Sequence, residues 1–151
     1  MGGPLRSTSF RTFILYPLLV GAWEWLWTDG HLRVHPWYAP LLAWGYLQYR
    51  WIGRYRLRRG GGGPGMRTPP DRLVTTGPYT WCRNPMYLGH IIFLLGLTLT
   101  LQSLFAGLLG AATVVWFHFR VRRDEARLRA RFGEPYEAYC TRVRRWVPGL
   151  F

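Results

Sequence analysis

Three long apolar runs dominate the pattern of hydrophobic and polar positions along the chain. Phe13 to Trp27 is apolar except for Glu24, and Trp37 to Trp51 contains only two polar side chains. Pro85 to Phe119 then holds 35 residues without Asp, Glu, Lys or Arg. A membrane-spanning helix needs about 20 apolar residues, with roughly 17 as the lower limit. The last run is therefore too long for one span and just long enough for two.

The long run has one natural breaking point, the polar pair Gln102-Ser103, which could form a tight turn. With this break the pattern predicts an all-α integral membrane protein with about four transmembrane helices, over residues 11–28, 36–52, 85–101 and 103–120. The length of 151 residues suits a single membrane-embedded domain over residues 1–151.

The placement of arginine predicts which side of the membrane each loop faces. Cytoplasmic loops carry an excess of Lys and Arg. The outer loop would hold only Arg33, and the turn at Gln102 holds none. The N-terminus, the central segment and the tail hold most of the others: Arg6 and Arg11; Arg54, Arg56, Arg58, Arg59, Arg67 and Arg72; Arg122, Arg123, Arg127, Arg129, Arg131, Arg142, Arg144 and Arg145. We expect both termini and the active site in the cytoplasm, at a bacterial inner (plasma) membrane.

Composition narrows the function classes further. All 20 basic residues are arginine, and the formal net charge is +13. Such a charge suits a nucleic-acid binder, but a nucleic-acid domain does not need 35 uncharged residues in a row, so we expect no nucleic-acid partner. The two cysteines lack metal-ligand spacing and are too few for a disulfide scaffold, and we expect no metal.

The segments outside the apolar runs have their own patterns. The Gly-rich stretch 60–65 predicts a flexible linker or lid. Asp124 to Phe132 predicts a helix that continues the fourth span, with Gly133 as its stop. Apolar positions recur every three or four residues over 134–147, which predicts a basic amphipathic helix lying on the membrane surface, within a cytosolic amphipathic tail over 122–151.

One segment points to a specific chemistry. Residues 73–89 read LVTTGPYTWCRNPMYLG and lead directly into the third span. After the fourth span come Asp124-Glu125, then FGEPY at 132–136, Tyr139 and Val147-Pro148. In order and spacing, these two halves resemble the signature of the isoprenylcysteine carboxyl methyltransferase and phospholipid methyltransferase superfamily. The resemblance covers about residues 70–151.

The resemblance implies an integral membrane enzyme that uses S-adenosyl-L-methionine and releases S-adenosyl-L-homocysteine. Arg120 takes the position of the arginine that faces the methyl acceptor in the isoprenylcysteine branch. The family's cofactor contacts fall on Asp71, Arg72, Leu73, Val74, Tyr79, Asn84, Pro85, Met86, Tyr87 and Asp124, with Glu125 beside it. Asn84 replaces the usual histidine, and asparagine cannot carry a proton.

The acceptor stays open at this point. The resemblance implies a lipid or lipid-modified partner, with an isoprenylcysteine-type carboxylate or a phospholipid amine as the methylated group and a hydrophobic thiol as a third option. The competing interpretation is a small membrane scaffold or transport subunit without catalysis. Arg83, or backbone N–H groups at the start of the third span, could hold the cofactor's carboxylate. The roles of His90 and His118 and the oligomeric state are also open.

Overall fold

The computed structural model describes residues 7–63 and 68–146, and every regular element in these residues is a helix. The α-helices are α1 (Thr8–Phe10), α2 (Tyr16–Trp27), α3 (Ala39–Gly60), α4 (Pro85–Leu101), α5 (Leu104–Phe132) and α6 (Glu134–Arg142). A π-helical turn, Arg11–Leu15, joins α1 to α2, and 3-10 turns occupy Pro36–Tyr38 and Gly77–Thr80. The all-α prediction is confirmed.

The predicted helix breaks lie where the pattern places them. Between α4 and α5, Gln102 has a φ of +47°, a conformation that ends the first helix. Gly133, with a φ of +57°, separates α5 from α6. The helix predicted from Asp124 to Phe132 is indeed the end of α5. By length and composition, one helix in the described part of the chain could cross a membrane, Leu104–Phe132, and Pro85–Leu101 is a shorter apolar helix.

The chain divides into two compact units. The first unit comprises Met1–Gln48 and Gly89–Val115, and its apolar core contains Val20, Leu97 and Ala106. Its helices approach at backbone distance, because a Cβ added to Gly45 would lie 2.6 Å from the carbonyl oxygen of Gly89. Its buried positions also include five polar side chains besides His90: Thr8, Thr12, Thr100, Ser103 and Thr113.

The second unit comprises Tyr49–Leu88 and Trp116–Phe151. Its core joins residues from α3, from the segment before α4, from α4 and from the C-terminal region: Ile52, Val74, Tyr79, Met86, Tyr136, Tyr139 and Val143. The surface-lying amphipathic helix predicted over 134–147 is therefore wrong in two respects. Helix α6 ends at Arg142, and its aromatic face is buried inside the protein. Three- and four-residue spacing shows that a face is apolar but not what covers it.

Several residues of the sequence predictions lie outside the described part of the chain. These are Arg6, Gly65, Arg67, Val147 and Pro148.

Candidate active site

A cleft in the second unit gathers most of the predicted cofactor contacts. It holds about 780 Å³ of empty space, counting its solvent-filled mouth. Eight predicted residues line it: Leu73, Val74, Tyr79, Asn84, Pro85, Met86, Tyr87 and Asp124. The two halves of the sequence motif, some 40 residues apart in the chain, thus meet around one opening. Clefts of about 300–1,000 Å³ with apolar walls and few polar groups are typical of small-molecule sites.

Asp124 and Arg120 are joined through the hydroxyl of Tyr87. Tyr87 donates a hydrogen bond of 2.7 Å to Asp124 Oδ2 and accepts one of 2.9 Å from Arg120 Nε. The direct distance from Arg120 Nε to Asp124 Oδ2 is 3.9 Å. The Arg120 guanidinium also lies 5.3 Å from the ring centroid of Trp116. Arg120 itself does not line the cleft, but it contacts two residues that do, Tyr87 and Asp124.

The neighbouring carboxylate has a different environment. Glu125 is 1% exposed and does not line the cleft. Arg145 donates to both of its oxygens, at 2.9 to 3.2 Å, and Asn84 Nδ2 donates to Oε1 at 3.3 Å. Arg83 approaches Oε1 at 3.5 Å. Glu125 therefore bridges two arginines and ties the C-terminal segment to the turn that precedes α4.

Backbone and thiol contacts strengthen the same junction. The Arg83 N–H donates to the carbonyl of Arg144 at 2.9 Å, and the Cys82 thiol donates to that of Arg145 at 3.4 Å. Burial raises the pKa of the Cys82 thiol to about 11, so it stays protonated at neutral pH. A protonated, buried thiol is a packing group and not a nucleophile.

Buried tyrosines hold the other wall of the cleft. The Tyr139 hydroxyl donates a hydrogen bond of 2.6 Å to the carbonyl of Tyr79. Burial raises the pKa of Tyr79, Tyr136 and Tyr139 far above the ordinary value, and all three line the cleft. These phenols are neutral at any pH at which the protein would be assayed.

Asp71 and Arg72, two further predicted contacts, lie outside the cleft lining. Asp71 Oδ2 accepts a 2.6 Å hydrogen bond from the Gly62 N–H, and the backbone N–H groups of Asp71 and Arg72 donate to the carbonyl of Gly60 at 2.7 and 2.9 Å. Arg56, which is 8% exposed, donates to the carbonyls of Thr68 and Gly63 at 2.9 Å each. These contacts hold the described ends of the Gly-rich stretch to α3.

Arg83, the candidate for the cofactor's carboxylate, also lines the cleft, and eight further residues do so without having been assigned as contacts: Arg56, Thr68, Pro69, Pro70, Arg127, Leu128, Tyr136 and Tyr139. Tyr136 and Tyr139 belong to the second half of the motif, and their place in it was the signal for a role near the cofactor. Arg56 carries no such signal, because only folding brings α3 against the loop.

The two open histidines have different surroundings, and neither lines the cleft. His90 is fully buried in the first unit, where its ring stacks on Phe13 at 4.5 Å. His118 is exposed, and its ring meets Phe119 edge-on at 5.8 Å.

Comparison with known proteins identifies a family that part of this chain matches. Residues 63–134 match the family described as phospholipid methyltransferase. The protein-S-isoprenylcysteine O-methyltransferase of Mus musculus is 38% identical over 78 residues, which are 50% of this chain and 27% of that protein. The Schizosaccharomyces pombe protein of the same name is 37% identical over 84 residues, 54% of this chain and 35% of the relative. The chain thus spans about a quarter to a third of these relatives' length.

A bacterial relative covers more of the chain. The cobalt-zinc-cadmium resistance protein CzcN of Cupriavidus metallidurans is 31% identical over 148 residues, 92% of this chain and 60% of that protein. No solved structure matches the chain. The resemblance found in the motif is confirmed: residues 63–134 match the phospholipid methyltransferase family, and the chain is similar over about half of its length to protein-S-isoprenylcysteine O-methyltransferases.

Proposed function

We propose that the chain is an integral membrane methyltransferase that transfers a methyl group from S-adenosyl-L-methionine to a lipophilic acceptor. The observation that carries this proposal is the cleft of the second unit, where both halves of the family motif meet. When bound, the cofactor supplies an electrophilic methyl group on a sulfonium cation. The protein has to bind the donor, align the acceptor with it and exclude water.

The residues of the cleft fit the parts of this cofactor. Leu73, Val74 and Met86 offer apolar wall, and Tyr79 and Tyr87 offer ring faces and edges for an adenine or a cation. Asp124 is the carboxylate among the described lining residues, and it suits the cofactor's ammonium or its ribose hydroxyls. Asn84 faces Glu125 and the carbonyl of Arg145, so its part is to hold the cleft together.

Glu125 acts in this proposal as a positioning residue. Its two oxygens already accept hydrogen bonds from Arg145 and Asn84, and Arg83 lies beside them. By fixing the turn before α4 against the C-terminal segment, Glu125 keeps Asn84 and Pro85 in the cleft wall. It supports the cofactor site without touching the ligand.

Arg120 is proposed to orient an anionic group of the acceptor. Its guanidinium is held by Tyr87 on one side and by the ring of Trp116 on the other, and its side chain is 22% exposed. A guanidinium can bind a carboxylate or phosphate through two parallel hydrogen bonds. This favours an acceptor that carries such a group, whether the methylated atom is a carboxylate oxygen or an amine.

The membrane location is part of the same proposal: four spans, with both termini on the cytoplasmic side. Single-cysteine variants in a background without Cys82 and Cys140 test it, with Glu134→Cys and Arg33→Cys as a matched pair of exposed positions. An impermeant maleimide added to intact cells should label Arg33→Cys only. Labelling of Glu134→Cys from outside would contradict the topology.

The enzymatic proposal is tested by binding and by transfer. Calorimetry in detergent should show binding of S-adenosylhomocysteine, which a scaffold has no reason to bind. Incubation with tritiated-methyl cofactor in native lipid extract should then label a lipid, whose identification defines the acceptor. A folded protein that neither binds S-adenosylhomocysteine nor transfers label would leave the scaffold interpretation.

A role in metal resistance is a second candidate, because the similarity to CzcN extends over 92% of this chain. Within the residues that the structure describes, no three His, Cys, Asp or Glu side chains come together as a metal site would require. Such a role would therefore act through methylation of a membrane component. Deleting the gene should then sensitise cells to cobalt or cadmium, and a gene encoding the Asp124→Ala protein should not restore resistance.

A further inference from the structure

Arg83 occupies an unusual position in the cleft wall. It lies in the turn just before α4 and lines the cleft, yet its side chain is only 10% exposed. A guanidinium is always charged, and a buried charge is costly unless it is paired. The contacts of this arginine therefore matter more than those of an exposed one.

The pairing of Arg83 inside the protein is incomplete. Its nearest carboxylate oxygen, Glu125 Oε1, is 3.5 Å away, beyond an ideal charge-assisted hydrogen bond. The Arg83 Nε is buried and has no hydrogen-bond partner among the described residues. Glu125 is already gripped at 2.9 Å by Arg145, so one carboxylate serves two guanidinium groups. Glu125 cannot balance both charges, and Arg83 is the less closely paired of the two arginines.

The other candidate for holding an anion here is the set of backbone N–H groups at the start of α4, and fewer of these groups are available than in an ordinary helix. Pro85, the first residue of the helix, has no N–H group. The N–H of Asn84 already donates to Cys82 Sγ at 3.3 Å. Two of the backbone positions that could hold an anion at this helix start are thus unavailable, while the incompletely paired Arg83 lines the cleft.

We infer that Arg83 binds the carboxylate at the amino-acid end of the cofactor. This rests on the proposed function. The amino-acid end carries an ammonium and a carboxylate on the same carbon, and the cleft wall contains both an acidic group, Asp124, and the incompletely paired Arg83. The carboxylate of such a zwitterion would pair with Arg83, and its ammonium would lie near Asp124, which also pairs with Arg127.

The test compares two ligands that differ only in the carboxylate: S-adenosylhomocysteine and its decarboxylated form. The wild-type protein should bind the carboxylate ligand at least about 10-fold more tightly, the lower end for a charge-assisted hydrogen bond. In Arg83→Gln this ratio should fall to about threefold or less, while affinity for the decarboxylated ligand is kept. Arg129→Gln, which removes the same charge from an exposed pair with Glu137, should keep the wild-type ratio.

Other outcomes separate the possible errors. If Arg83 only supports Glu125, both ligands lose affinity together in Arg83→Gln and the inference is overturned. Equal affinity of the wild-type protein for both ligands overturns it as well. Binding of neither ligand by folded wild-type protein instead contradicts the proposed function. Should Arg83→Gln unfold, Arg83→Lys decides: lysine lacks the planar fork, so an unchanged ratio overturns the inference and a reduced one supports it.

Discussion

The two units of this protein differ in how their polar and apolar side chains are distributed. In the first unit, large apolar side chains are exposed, among them Leu26 at 77%, Leu104 at 78% and Leu108 at 63%, while threonine and serine hydroxyls are buried. In the second unit the core is aliphatic and aromatic, and arginines cover much of the surface. Exposed apolar patches of this kind mark an interaction surface, which for a helical unit suits lipid.

This difference in polarity indicates which interactions can hold each unit together. A lipid-facing surface gains nothing from burying apolar groups against each other, so close packing through glycine and hydroxyl contacts holds the helices. Gly45 and the 2.5 Å contact from Ser103 Oγ to Glu24 Oε1 belong to this class. The second unit carries many charged side chains, and the candidate cleft lies there.

The largest expected effect concerns the charged interior of the second unit. Glu125→Ala leaves the guanidinium groups of Arg83 and Arg145 without their carboxylate, and breaking a buried pair costs about 3–5 kcal/mol. The unfolding midpoint in detergent should fall sharply. Glu137→Ala removes an exposed partner of Arg129 and should cost less than about 1 kcal/mol. Equal stability of the two variants would mean that Glu125 does not tie the C-terminal segment to the turn before α4.

A charge on the apolar surface of the first unit should act on membrane integration. An arginine near the centre of a spanning helix costs about 2.5–3.5 kcal/mol on insertion scales. Leu108→Arg should therefore move protein out of the carbonate-resistant membrane fraction. Trp81→Arg, at a residue 75% exposed in the second unit, should stay membrane-bound. If Leu108→Arg integrates as well as the wild type, the exposed apolar surface does not face lipid.

Asp124 tests whether the charges of the second unit bind a ligand. Asp124→Ala should weaken S-adenosylhomocysteine binding about 10- to 150-fold, the value of a charge-assisted hydrogen bond of roughly 1.5–3 kcal/mol. Calorimetry on folded protein measures it, with the exposed Glu134→Ala as the control expected to bind normally. Unchanged affinity in Asp124→Ala would remove the acidic group from the cofactor site.

The smallest expected change in affinity belongs to Arg120→Lys. If Arg120 orients the acceptor, cofactor affinity should stay within about threefold, under roughly 0.7 kcal/mol, while methyl transfer falls strongly. The alternative is that Arg120 supports the cofactor site. The Tyr87 hydroxyl contacts both Arg120 and Asp124, so a change at Arg120 that displaces Tyr87 would also misplace Asp124 and weaken cofactor binding. Parallel loss of binding and transfer in the same variant would make Arg120 a support of Asp124.

The sequence by itself determined the helical class, the breaks at Gln102 and Gly133 and the residues of the motif, because these depend on local preferences and on spacing along the chain. Helix periodicity also showed that α6 has an apolar face, but periodicity does not say what covers a face. Only folding placed Tyr136 and Tyr139 inside the second unit and brought Arg56 to the cleft.

The acidic pair shows the same division most clearly. Asp124 and Glu125 are adjacent in the sequence and chemically alike, so spacing assigned them one role. Successive residues on a helix point about 100° apart. One carboxylate therefore lines the cleft beside Tyr87, while the other is buried between Arg83 and Arg145, partners that lie 42 residues before it and 20 after it. Such long-range partners are chosen by tertiary packing, which local sequence pattern does not encode.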